Sequence, residues 1–342
     1  MAFLYEYGLF IAKTATLVIA ILVAVGGIVA IAARQKQDKG QLEFRSLSDH
    51  YEDITEHANH LLLSKDEIKK LQKDKKKAAK AKEKAAKDQQ DTPGRLFVID
   101  FEGSMDAHEV ASLREEITAI LCIATEKDEV LVRLESGGGV VHGYGLAASQ
   151  LQRIRDKGIK LTVSVDKVAA SGGYMMACVA DTVLAAKFAI IGSIGVIAQL
   201  PNFNKLLKKN DIDFEQHTAG EFKRTLTVFG ENTETARQKF REELEDVHGM
   251  FKQYVAEHRP TLDIDKVATG EYWYGIRAKD LGLVDELCTS DDYLLAAHPE
   301  RQIYAVKYAQ KKSLAERVGV ATAAAVEKGS IRLLSKMQSL LR

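Results

Sequence analysis

The sequence predicts an α/β protein with a membrane-spanning helix at its N-terminus, on three observations. From Arg95 onward, short β-rich runs alternate with amphipathic helical stretches. The connections between those runs are long enough to bring the chain back for parallel pairing. Ahead of this body, the 20 residues from Thr14 to Ala33 carry no charge. As a helix they would reach roughly 30 Å, the thickness of a hydrocarbon core.

The elements follow in chain order. Residues 1–33 form an N-terminal region whose span covers about 14–33. Ala30 and Ala32 make an A-x-A-like pair, but a cleaved signal peptide carries an apolar region of only about 7 to 15 residues, so an anchor is expected. Glu6 and Lys13 precede the span, while Arg34, Lys36, Lys39 and Arg45 follow it, and this flanking charge places the body on the cytoplasmic side.

Residues 34–94 read as a polar linker, with eleven lysines between Lys65 and Lys87. Such a stretch forms a solvated helical or disordered tether, or a basic strip along anionic lipid headgroups. His50, His57 and His60 lie in it as solvated surface, and Thr92-Pro93-Gly94 ends it with a turn.

The body covers residues 95–306. Strands are expected near Leu96 to Phe101, Val130 to Leu134, Lys160 to Val165, Thr182 to Ala186, Ala189 to Val196 and Asp213 to Gln216. Helices are expected over Ala107 to Ala124, Val140 to Asp156, Gly172 to Ala180, Asn202 to Lys209 and Thr233 to Glu257. The run Val183 to Leu200 holds one lysine, Lys187, but Gly192, Gly195 and its β-branched residues suit two buried strands better than a second span. Residues 307–342 close the chain as a basic amphipathic tail, with Leu333, Leu334, Met337, Leu340 and Leu341 at helical spacing. It serves a partner, a membrane surface or the core.

Composition narrows the function. The 342 residues suit about two domains, and 46% apolar with 28% charged residues excludes a wholly disordered or collagen-like chain. With 48 basic against 48 acidic residues, the chain does not read as a nucleic-acid binder. Cys122, Cys178 and Cys288 lack C-x-x-C spacing, which argues against a disulfide scaffold or a structural zinc site.

Two glycine-bearing junctions can hold chemistry. Ser136-Gly137-Gly138-Gly139 follows a strand and opens a helix, so its amides can approach and bind negative charge. It lacks the Gly-Lys-Ser/Thr ending of a phosphate loop and otherwise reads as a turn. Ala170-Ser171-Gly172-Gly173-Tyr174 sets one serine among small residues after a strand. That suits a nucleophile on a tight turn beside its own oxyanion donor, or a helix cap. A serine nucleophile needs a base. His217 and His248 follow it in the body, and Lys223 lies in Gly220-Glu221-Phe222-Lys223. A lysine serves as base only where burial lowers its pKa from about 10.4 by roughly three units.

Together, Ser136-Gly137-Gly138-Gly139, Ala170-Ser171-Gly172-Gly173-Tyr174, Gly192-Ser193-Ile194-Gly195-Val196 and Gly220-Glu221-Phe222-Lys223 resemble, in order and spacing, the signal peptide peptidase A family, in its SohB branch. The segment Thr269 to Gly275, with Leu281 to Glu286, is similar to that family's late motif. The resemblance implies a Clp protease/crotonase-like fold and a membrane-anchored serine endopeptidase with a Ser-Lys dyad and no cofactor. Position by position it makes Ser171 the nucleophile, Lys223 the base, Gly138 and Gly172 the oxyanion donors, and Ser193 a hydroxyl that orients the lysine. It further implies homo-oligomeric rings in the cell inner membrane, cutting unfolded or membrane-derived peptides such as signal peptide remnants. One departure is Gly137, where the family's Ser-Pro-Gly-Gly carries proline. Family relatives are usually drawn with the catalytic domain outside the cytoplasm, so the membrane face stays open between that and the flanking charge. The alternatives are acyl-CoA chemistry on a crotonase fold and a non-catalytic membrane scaffold.

Overall fold

The computed structural model describes residues 7–10, 13–14, 16–17, 40–71, 73, 77 and 94–309. The chain divides into a body, Leu42–Tyr308, and a second unit formed by Met1–Gln41 with Ala309–Arg342. The expected span at 14–33 and all but the first three residues of the expected tail at 307–342 fall almost wholly outside the described residues. Among those described, no helix is long and apolar enough to cross a membrane.

The body is built on a ten-stranded sheet. Its central strands are β2 (Leu96–Gly103), β3 (Glu129–Ser136), β4 (Lys160–Val165) and β6 (Thr182–Ala185), each paired in parallel with the next. Outward lie β10 (Ile303–Ala309) and then β1 (Gln41–Ser46) on the β2 side, and β9 (Glu286–Leu287) beside β6. A branch leaves β3 through β5 (Val168–Ala170) to β7 (Ile190–Gly192), where β8 (Tyr272–Tyr274) pairs antiparallel. The mixed α/β class and the parallel pairing agree with the sequence.

Strand β2 shows why the sheet holds. Phe97, Ile99 and Phe101 face one apolar cluster while Leu96 and Val98 face another, so the strand reads as an apolar run buried on both sides. The larger cluster is closed by α2 (Val110–Ile123), α3 (Val141–Asp156) and α4 (Gly172–Ala177), through Ile117, Ile120, Tyr144, Leu151 and Met176. Ile117 and Ile120 are 0% exposed, and cutting either to alanine costs about 2–5 kcal/mol. The smaller cluster is closed by Leu47 and Tyr51 of α1 (Leu47–Leu62) and by Leu294 of α9 (Ser290–Ala297).

Residues 42–62, expected in the linker, therefore belong to the body. Ser46 caps α1 by accepting the Asp49 amide at 3.1 Å, and Ser48 Oγ accepts the Ile303 amide of β10 at 3.0 Å. The apolar side chains that α1 adds to this cluster, Leu47 and Tyr51, stand one turn apart, too narrow a stripe to stand out in a polar sequence. The strand expected at Asp213 to Gln216 does not form, and those residues are exposed. Phe214 instead stacks on Phe229, with centroids 5.7 Å apart. The long helix α6 (Glu234–His258) follows, with Thr233 accepting the Ala236 amide as its cap and Phe251 and Val255 buried. Between β7 and α6 runs α5 (Asn204–Lys209).

Candidate active site

Strand register builds the site. Ser136 of β3 lies opposite Ala169 of β5, and Ala170 lies opposite Gly192 of β7. The chain turns that leave these strands, Ser136 to Gly139, Ser171 to Gly173 and Gly192 to Val196, therefore emerge side by side.

Ser171 sits between β5 and α4 at φ 52° and ψ −120°. That conformation is strained for a residue with a Cβ and persists only where neighbours over-determine it. They do: the Ser171 amide donates to the Gly192 carbonyl at 2.8 Å, and the Ser171 carbonyl accepts the Met175 amide at 3.0 Å. The residue is half-buried on a strand-to-helix elbow, the geometry that presents a serine to substrate.

The glycines on either side are required by close approach. Gly138 has φ +86°, and a Cβ there would stand 2.6 Å from the Gly172 amide nitrogen and 2.8 Å from the Ser171 Cβ. A Cβ on Gly172 would stand 2.4 Å from Cγ of Tyr144. The Gly138 amide donates to Ser136 Oγ at 3.1 Å. Gly139, the last residue of that expected junction, lines a cavity of about 70 Å³ with Ser171, Gly172, Met175, Val247 and Phe251. Val247 and Phe251 stand one turn apart on the helix that follows, α6, and nothing in that spacing pointed to the site.

The remaining expected residues are placed less closely. Ser193, at φ 52°, follows Gly192 and donates its amide to the Glu271 carbonyl at 2.7 Å. Lys223 is exposed in a turn, its amide donating to the Gly220 carbonyl at 3.2 Å. Its neighbour Phe222 lies under Lys239, 5.3 Å from ammonium to ring centroid. Lys239 precedes the cavity residue Val247 by eight positions on α6, about 12 Å along the helix. The single chain does not bring Lys223 into the cavity. His217 is exposed beside Glu215, whereas His248 meets the Ile194 carbonyl with Nε2 at 3.2 Å, behind the Gly192 to Val196 wall.

A Ser-His-Asp group does occur, at Ser104, His108 and Asp106. It is a clamp at the start of α2 rather than a triad: the Ser104 hydroxyl meets Asp106 Oδ1 at 2.7 Å and Glu109 Oε2 at 2.8 Å, so carboxylates hold its proton. The His108 and Ser104 side chains hold the Asp106 carboxyl down at about 2. Burial pushes the Cys178 thiol up to about 12, which leaves it inert. Among the described residues no group of three or more His, Cys, Asp or Glu could hold a metal ion.

Residues 2–151 match the family model "Peptidase family S49 N-terminal", and residues 153–304 match "Peptidase family S49". The chain belongs to peptidase family S49. It is similar to "Probable protease SohB" of Haemophilus influenzae, 53% identical over 321 residues that cover 92% of this chain and 91% of the relative. The protein of that name from Buchnera aphidicola subsp. Acyrthosiphon pisum is 51% identical, covering 93% of each chain. "Protease 4" of Haemophilus influenzae is 27% identical over 57% of this chain and 33% of its own length. The resemblance to the signal peptide peptidase A family, in its SohB branch, is thereby borne out, and the S49 chain is a peptidase.

Proposed function

We propose that this S49 chain is a membrane-anchored serine endopeptidase of Clp/crotonase-like fold with Ser171 as nucleophile and Lys223 as base. The observation that carries this is the strained Ser171 elbow, fixed between Gly138 and Gly192 and lining a largely apolar cavity. Ser171 Oγ attacks the scissile carbonyl, and a neutral Lys223 takes its proton and returns it to the leaving amine. The oxyanion is met by the Gly172 amide and by the Gly138–Gly139 turn. In that turn the Gly138 amide shares its hydrogen between Ser136 Oγ and the substrate oxygen, with Gly139 donating beside it. Ser193 orients the lysine, and no cofactor is needed. Water then releases the acyl group from Ser171.

Because Lys223 is exposed in the single chain, the dyad is read as closing in a homo-oligomer, where a second copy removes the lysine from water. Exposed apolar side chains between β7 and Lys223, Ile197 (79%), Leu206 (56%) and Phe222 (50%) among them, support such a contact. The apolar cavity and the uncharged run at 14–33 support unfolded or membrane-derived peptides as substrates, signal peptide remnants among them. That run supports an inner-membrane site, the basic stretch after it a lipid contact, and the flanking charge a cytoplasmic face.

A fluorophosphonate probe followed by mass mapping tests the reading. Labelling at Ser171, lost in Ser171→Ala together with peptide hydrolysis, is the expected result. A Ser171→Ala protein that cleaves at the wild-type rate would overturn it.

A further inference from the structure

Tyr144 is 0% exposed and lies behind both walls of the site. Its ring passes beneath Gly172, close enough that any Cβ on that glycine would strike it. Its hydroxyl donates to the Ser104 carbonyl at 2.8 Å and meets Ser136 Oγ at 2.5 Å. With the phenol proton on that carbonyl, the Ser136 hydroxyl donates to Tyr144 in preference to the Gly103 carbonyl, which lies farther off at 3.4 Å. The Ser136 oxygen then accepts the Gly138 amide at 3.1 Å. One run of hydrogen bonds thus links Gly138, Ser136, Tyr144 and Ser104, and its central Ser136–Tyr144 bond is buried, where either member is costly to leave unpaired. Burial pushes the Tyr144 phenol up, so it stays a neutral donor.

We propose that Tyr144 is a positioning residue that sets the spacing between the Gly172 amide and the Gly138–Gly139 turn, and so the geometry offered to the transition-state oxygen. Tyr144 touches no substrate. It acts through its ring on one wall and through the Ser136 hydroxyl on the other. This rests on Ser171 being the nucleophile, since only then do those two walls flank the reacting carbon.

The test compares wild type, Tyr144→Phe, Ser136→Ala and the double variant, with peptide hydrolysis and a peptidyl aldehyde as inhibitor. Tyr144→Phe keeps the ring and removes the hydroxyl. A loosened rather than deleted donor predicts a kcat loss of about tenfold with little change in KM. Aldehyde affinity falls in the same proportion, because the hemiacetal formed with Ser171 presents the same oxygen. The double variant loses no more than the worse single one, since both cut one run of bonds. Unchanged kcat and aldehyde affinity in Tyr144→Phe would overturn the proposal, as would losses that multiply in the double variant. Should Tyr144→Phe not fold, Ser136→Ala alone decides: the same joint loss supports the proposal, and wild-type constants overturn it. Failure of the wild type to label at Ser171 would instead remove the serine peptidase reading itself.

Discussion

Gly138 lies so close to Ser171 that a Cβ on the glycine would stand 2.8 Å from the serine Cβ. The turn and the elbow are thus one packed unit, and a methyl group at Gly138 would enter it at a φ of +86°. Gly138→Ala is expected to cut peptide hydrolysis at least about a hundredfold, as removal of an oxyanion donor does. Circular dichroism and kcat measured on the same preparation separate that loss from unfolding.

Gly137 offers the opposite case. Its φ is not positive, nothing lies within 4 Å of a Cβ built there, and Ser136 before it is already in a strand. Gly137→Pro is expected to stabilise the body by about 0.4–1 kcal/mol by narrowing the unfolded ensemble. Calorimetry should show Tm rising by roughly 1–4 °C; a lower Tm would mean that the Gly137 backbone does not suit proline.

Lys223 supplies a prediction about assembly. If the dyad closes between copies, Ser171→Ala and Lys223→Ala proteins, each inactive, regain activity when mixed and reassembled, because mixed sites pair an intact serine with an intact lysine. Activity that stays absent in mixtures shown to co-assemble would place both groups in one chain.

Asp128 predicts an acid limit. Burial raises its carboxyl, but the Arg95 side chain and the Thr125 and Arg95 amides outweigh that, bringing it from 3.8 to about 2. Its folded pKa is depressed, so the stability it adds is complete above about pH 4 and is lost as pH falls towards 2. A shift of that size corresponds to about 2 kcal/mol. Denaturant midpoints for wild type and Asp128→Asn should differ at pH 7 and converge near pH 2; a constant difference would contradict the assignment.

The long apolar runs were legible because burial on both faces leaves little room for polar residues, and Lys160–Val165 forms as expected. Short pairings were not: β8 and β9 have three and two residues and exist only because β7 and β6 offer them edges. The Ser171 elbow was readable because its neighbours are all small. Met175 and Phe251 were not, since a cavity wall in an α/β core has the composition of the core itself. Tyr144 carried no signal either, as a tyrosine among apolar residues on a helix looks the same whether or not its hydroxyl holds a loop.

The first and last strands of the body, β1 and β10, lie next to each other at one border of the sheet. Three strand spacings, about 14 Å, separate that border from β3, whose far end feeds the Ser136 turn. A substitution in β1 or β10 therefore reaches the Ser136 turn across β2 and β3 rather than by direct contact.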